Sequence, residues 1–223
     1  INDLEDYQTF RDRIEGKRKI GILGAGLIGC EFANDLSLGG FDVDVIDLAP
    51  QVLGRLLPPE AAQVLQDKLS ALGVTWHLST TVQAMNHQIG QLKIELTNGT
   101  TINCDAVLSA IGLKPRIQLA KECGLDTQIG IVVNLKLQTS NPDIYAIGDC
   151  AEFKTPIIGR RNIEQVWYTG RIMGEQLANH LFKSKTEYEP GIWFNSAKFF
   201  DLEYQTYGKV SNVLSENEDA FIY

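Results

Sequence analysis

No apolar run in the 223 residues approaches the ~20 that a membrane-spanning helix needs, and no basic-then-apolar leader opens the chain. Basic residues are the minority. Against 28 Asp and Glu there are 20 Lys and Arg, for a formal net charge of −8, which argues against nucleic acid or an anionic membrane surface as partner. Cysteine is sparse, and Cys30, Cys104, Cys123 and Cys150 form neither a CxxC nor a CxxxxC. Neither a redox-active dithiol nor a zinc knuckle is suggested, and reduced thiols in a cytoplasmic protein are expected. His77, His87 and His180 lack metal-ligand spacing and read as structural or surface residues. An initiator methionine is also missing: the chain runs from Ile1 to Tyr223 and reads as a piece of something longer, or as a processed or partly ordered chain.

What remains is ordinary globular material, 44% apolar and 22% charged, enough for one large domain or two small ones. Its organising stretch is Lys19 to Asp47, KIGILGAGLIGCEFANDLSLGGFDVDVID. A short apolar strand, Ile20 to Leu23, runs into Gly24-Ala25-Gly26-Leu27-Ile28-Gly29. A helical pattern follows from Leu27 to about Ser37, Gly39-Gly40 ends it, and a second strand from Val43 to Ile46 closes on Asp47. Strand, glycine turn, helix, strand and an acid about 20 residues on form the dinucleotide-binding unit.

Each part has a physical role. Gly24 permits the tight turn, Gly26 lets the backbone approach a pyrophosphate, and Gly29 lets helix and strand pack closely. Free N–H groups at the helix start, reinforced by the helix dipole, would hold the phosphates, with Ala25, Leu27 and Ile28 counted among the cofactor-binding residues. Asp47 would accept from both adenosine ribose hydroxyls and repel a 2′-phosphate, so NADH is favoured over NADPH. A glycine-rich turn in an unrelated α/β domain is the bland alternative, and the acid and flanking elements count against it. Arg55, in the loop after Asp47, is either a solvated side chain or a guanidinium stacked on adenine.

Around this unit, Leu4, Tyr7, Phe10 and Ile14 predict an amphipathic helix with an Asn/Asp start. A second helix starts at Pro58-Pro59-Glu60, and Val74 to Leu78 is a third parallel strand. Alternation from Thr81 to Asn103, with an Asn98-Gly99 turn, predicts an antiparallel meander. A buried strand, Ala106 to Gly112, ends where open α/β sheets place ligands; Gly112 is either a turn glycine or backbone packed against nicotinamide. Short strands are expected at 131–133 and 135–137, and a buried strand at Ile144 to Glu152 carries Gly148-Asp149, where the acid is a turn former or a polyol ligand. From Tyr188 onward aromatics alternate with polar residues and suggest a hairpin, either a β core or a face for a homodimer or acceptor. Residues Asn212 to Ala220 are acidic and expected to be mobile.

Three motifs in order, GAGLIGCEFA, SAIGLKP and TSNPDIYAIGDCAE, resemble the pyridine-nucleotide-dependent FAD oxidoreductase family over about residues 1–185. With the opening NDLEDYQTFRD and the missing dithiol, they are most similar to its NADH:rubredoxin/ferredoxin reductase branch. The resemblance implies that Gly24, Gly26 and Gly29 carry the NADH pyrophosphate and Asp47 the ribose. Glu31 would lie near the nicotinamide ribose and Gly112 near the nicotinamide. Gly148-Asp149 would bind the ribityl chain of FAD. A helix beginning near Asn162 to Gln165, including Glu164, would aim its positive end at the flavin. Trp167 would border the isoalloxazine or else sit in the core.

The family carries two dinucleotide folds, and here there is one GxGxxG. The implied arrangement is α/β: a three-layer Rossmann-like NAD(H) domain at 15–124 with the inserted meander, parts of a FAD domain at 1–14 and 125–186, and the start of an α+β interface domain at 187–223. NADH would reduce flavin, and electrons would pass one at a time to rubredoxin, ferredoxin or another acceptor. Two other readings stay open: a non-catalytic NAD-binding module, and an NAD-dependent dehydrogenase of a small substrate. The second needs a proton donor, for which no His or Tyr/Lys pair stands out.

Overall fold

The apolar runs before and after the glycine bend become neighbouring parallel strands. A computed structural model describes residues 1–88, 90–182, 187–199 and 201–210, divided into two compact units. The first comprises residues 1–112 with 197–206. Its elements are α1 (Leu4–Ile14), β1 (Lys19–Leu23), α2 (Leu27–Leu38), β2 (Asp42–Ile46), α3 (Pro59–Ala71), β3 (Val74–His77), β4 (Val82–Gln88), β5 (Gln91–Leu96), β6 (Thr101–Cys104) and β7 (Ala106–Ser109). The strands β3-β2-β1-β7 form one parallel sheet. The chain leaves β1 for β2 on one side and returns to its other side with β7, so the strand order reverses at β1. Open α/β sheets place their ligands at such a switch point.

Alternation along the strands separates two faces. Ile20, Ile22, Val43, Val45 and Leu108 join Cys30, Ala33, Leu36, Leu65 and Leu69 of α2 and α3 in one buried cluster. Ile46 belongs to a second cluster with Ile94, Leu96, Ile102 and Cys104, against which Leu23 and Val107 pack. The antiparallel meander β4-β5-β6 therefore covers the sheet face opposite the helices. Its Asn98-Gly99 turn closes as expected, with Gly99 at φ +86° and the Thr100 N–H donating to Asn98 Oδ1 at 3.0 Å. The buried acid on this face, Asp44, is paired with Lys19 Nζ at 3.0 Å and His77 Nε2 at 2.7 Å, as a charge removed from water must be. His77 is thereby structural.

Helix ends follow from local chemistry. Asp3 accepts from the Asp6 N–H at 2.8 Å to cap α1, and Pro59 opens α3 at a position that needs no N–H. Of the stripe predicted on α1, Phe10 and Ile14 are buried and Leu4 is exposed. These two side chains enter the core of the first unit. Helix α1 lies within the first unit.

The second unit comprises residues 113–196 with 207–209. It contains α4 (Gln118–Glu122), β8 (Ile131–Val133), a 3-10 turn (Gly148–Cys150), β9 (Ala151–Phe153) and α5 (Trp167–Phe182). Strands β8 and β9 pair in parallel over a core that includes Val133, Leu137, Phe153, Met173 and Tyr188. Strands β10 (Phe194–Phe199) and β11 (Leu202–Tyr207) pair as the expected hairpin, with residues 197–206 assigned to the first unit.

Two expected strands are corrected. Residues 135–137 form a turn because Asn134 Oδ1 accepts from the Lys136 and Gln138 N–H groups at 2.8 and 3.1 Å. The buried strand expected from Ile144 does not begin until Ala151. Before it the described pairing is an isolated Gln138–Tyr145 bridge, and Ile144 and Ile147 are 39% and 37% exposed. An apolar run without a continuous partner strand does not form a ladder. The acidic 212–220 segment lies outside the described residues.

Candidate functional site

At the carboxyl end of β1 the chain turns through Gly24 at φ +105°. The glycines do different things. A Cβ on Gly24 would sit 2.7 Å from the Ala110 carbonyl oxygen, and one on Gly29 would sit 1.9 Å from that of Gly24. Both are required by the fold itself. Gly26 is not: its φ is −75° and a Cβ there would meet no heavy atom within 4 Å. The open space in front of Gly26 is where a diphosphate could lie. Gly26 is the N-cap of α2, whose first turn is Leu27, Ile28 and Gly29, and no side chain caps it. The N–H groups of a first turn have no acceptor within their own helix, so they favour an anion.

Asp47 follows β2 directly and faces the bend. Its Oδ2 accepts from the Ala25 N–H at 2.5 Å, and its Oδ1 from the Ala49 N–H at 2.7 Å. The Ala25 carbonyl accepts in turn from the Leu53 N–H at 2.9 Å and from Cys30 Sγ at 3.4 Å. Burial first, then the charges of Asp47 and Glu31, push the Cys30 thiol pKa far up, so it is a neutral packing group. Glu31 lies on an exposed part of α2; partial desolvation of its carboxyl, then Asp35, raises its pKa. Arg55 is exposed. Gly112, three residues beyond β7, has φ +127° and open space at its Cβ position. Leu53 and Ala49 were invisible to sequence reasoning. Nothing in their side chains marks a backbone N–H as the support of a distant bend.

The residues implied for flavin lie in the second unit. Gly148, at φ +74°, is packed against α5, where the Cβ position of Gly170 lies 3.4 Å from its Cα. Asp149 is exposed on the same turn, and partial burial of its carboxyl raises its pKa. The helix expected to start near 162–165 starts at Trp167. Residues before it are held by Glu164, whose carboxylate takes Arg160 Nε at 2.6 Å, Arg160 Nη2 and Thr169 Oγ1 at 3.1 Å. The Arg160 and Glu164 side chains are 7% and 9% exposed, and Arg160 Nη1 also donates to the Gly191 carbonyl at 3.1 Å. The core position considered for Trp167 is not realised. It is 68% exposed, edge-on to Tyr168 at 5.3 Å and under the Arg171 guanidinium.

A cavity of about 380 Å³, lined by Phe153, Lys136, Lys154 and Glu187 among others, contains none of these residues. Among the described residues no group of three or more His, Cys, Asp or Glu side chains could hold a metal ion, and no helix is long and apolar enough to cross a membrane.

Comparison with known proteins follows the same lines. The sequence signature described as pyridine nucleotide-disulphide oxidoreductase matches residues 1–174. The chain is similar to the rubredoxin-NAD(+) reductase of Alcanivorax borkumensis, with 50% identity over 159 residues covering 71% of this chain and 42% of that protein. It is 39% identical over 158 residues to the nitric oxide reductase FlRd-NAD(+) reductase of Klebsiella pneumoniae, covering 71% of this chain and 42% of that protein. The solved structure of a ferredoxin reductase from Rhodopseudomonas palustris superposes with a TM-score of 0.80 at 30% identity, over 91% of this chain and 50% of that one. The chain thus spans about two fifths of the length of the curated relatives it matches.

Proposed function

The chain belongs to the pyridine nucleotide-disulphide oxidoreductase family, and from that premise we propose that it is the NADH-binding part of an FAD-dependent reductase serving a small electron carrier such as rubredoxin or ferredoxin. One observation carries the reading. Gly26 has ordinary backbone angles and free space around it, so the need for glycine there comes from a ligand rather than from the fold. The N-terminus of α2 receives the diphosphate, and the Asp47 carboxylate receives the adenosine ribose hydroxyls. Its negative charge disfavours a ribose 2′-phosphate, which selects NADH. Glu31 and Gly112 flank the nicotinamide end, and exposed Arg55 is available to the adenine.

The second unit fits one end of FAD. Asp149 offers a carboxylate to the ribityl hydroxyls, Gly148 allows the close turn, and the first turn of α5 offers N–H groups that have no acceptor within the helix beside the exposed Trp167 ring. When bound, FAD supplies the two-electron to one-electron conversion between NADH and the carrier. This chain's residues bind and orient the donors, and no general acid or base is required of them. Arg160 and Glu164 act at one remove, by fixing the segment that leads into α5.

The test uses the full-length, flavin-loaded protein without oxygen. NADH should bleach the visible flavin band, NADPH should do so far less efficiently, and oxidised rubredoxin or ferredoxin should restore it. A protein that carries no flavin, or whose flavin stays oxidised in NADH, defeats the proposal.

A further inference from the structure

We propose that Asp47 has a second role at this site: it sets the shape of the glycine bend before any coenzyme arrives, as a positioning residue for the diphosphate. This deepens the NADH reading and rests on it. Each carboxylate oxygen is engaged by the protein's own backbone, Oδ2 by the Ala25 N–H at 2.5 Å and Oδ1 by the Ala49 N–H at 2.7 Å. The next peptides are fixed as well. Gly24 N–H donates to the Ile46 carbonyl at 2.8 Å, and Leu53 N–H to the Ala25 carbonyl at 2.9 Å. Leu53 holds that position at φ +47° with 1% exposure, a conformation that a leucine keeps only when its surroundings impose it.

Ala25 is thus gripped at its N–H by Asp47 and at its C=O by Leu53, and it is itself 2% exposed. A peptide held on both sides fixes the direction of the N–H groups that follow, at Gly26, Leu27 and Ile28. Removing the carboxylate frees one side of the grip and leaves the Ala25 N–H, part-buried, without its acceptor. The diphosphate then meets a bend that must be reordered on binding. Each oxygen keeps a lone pair for a ribose hydroxyl, so the two roles are compatible.

A coenzyme analogue separates them. A 2′,3′-dideoxyadenosine form of NADH has no adenosine ribose hydroxyls for Asp47 to read. Its affinity for the chain and for the Asp47→Ala and Asp47→Asn variants is measured by calorimetry, beside NADH and NADPH. Asp47→Ala should weaken the dideoxy analogue by roughly tenfold or more, the scale of a charge-assisted hydrogen bond. Asp47→Asn retains one carbonyl for one of the two N–H groups and should recover part of that loss. NADPH should lose less affinity than the dideoxy analogue in either variant, because the bend is impaired for both while relief of the 2′-phosphate repulsion helps NADPH alone.

Dideoxy affinity unchanged in the variants would overturn the inference and leave Asp47 as a ribose reader alone. If Asp47→Ala does not fold, as judged by circular dichroism, Asp47→Asn alone decides by the same criterion: weaker dideoxy binding supports the role and unchanged binding refutes it. Wild-type chain that binds none of the three ligands defeats the NADH reading itself, a distinguishable outcome.

Discussion

At the scale of single residues, Gly26 and Gly29 look alike in the sequence and differ in what they must accommodate. A side chain at Gly29 runs into the Gly24 carbonyl at 1.9 Å, so Gly29→Ala should open the bend and destabilise the first unit by about 1–3 kcal/mol, the usual scale of overpacking. Gly26→Val adds bulk into empty space at permitted backbone angles. It should leave the urea midpoint within error of wild type and abolish nucleotide binding. Denaturant unfolding and nucleotide titration of both variants check the pair; a Gly26→Val chain that still binds NADH would contradict the placement of the diphosphate. The glycines and Asp47 were legible because their chemistry depends on residue type. Leu53 and Ala49 were not, since they contribute backbone N–H groups that any residue but proline possesses.

At the scale of elements, periodicity located β1, α2, β2 and the meander because each is decided by its own apolar pattern and turn residues. The start of α5 and the onset of β9 were misplaced for a different reason. Ile144 to Ile147 has the composition of a buried strand but no continuous partner, and the residues before Trp167 are held by Glu164, which bonds Arg160 four residues earlier and Thr169 five residues later, a buried pairing that apolar periodicity does not reveal. That pair yields a stability prediction. Glu164→Ala would leave the Arg160 guanidinium, 7% exposed, without its carboxylate. Loss of one partner of a buried pair costs about 3–5 kcal/mol, whereas replacing both by apolar residues, as in Arg160→Met with Glu164→Leu, should recover most of it. Urea unfolding of the single and double variants decides; equal stability of Glu164→Ala and wild type would show that the pair is not a structural anchor.

At the scale of the whole molecule, the chain joins a unit built around one glycine bend to a second unit that carries Asp149 and α5. Sequence motifs were enough to assign the family, because three of them occur in order. The packing of α1 was not foreseeable, since an amphipathic helix does not announce which core receives its apolar face. This chain matches 42% of the length of each of two curated relatives, and on the proposed reading its NADH site is one part of a larger flavoprotein. The most direct measurement is calorimetric titration of the 223-residue chain with NADH and NADPH in parallel at one ionic strength. The account predicts NADH binding at least about tenfold tighter, from charge repulsion of the 2′-phosphate by Asp47. Equal affinities, or binding of neither, would contradict it.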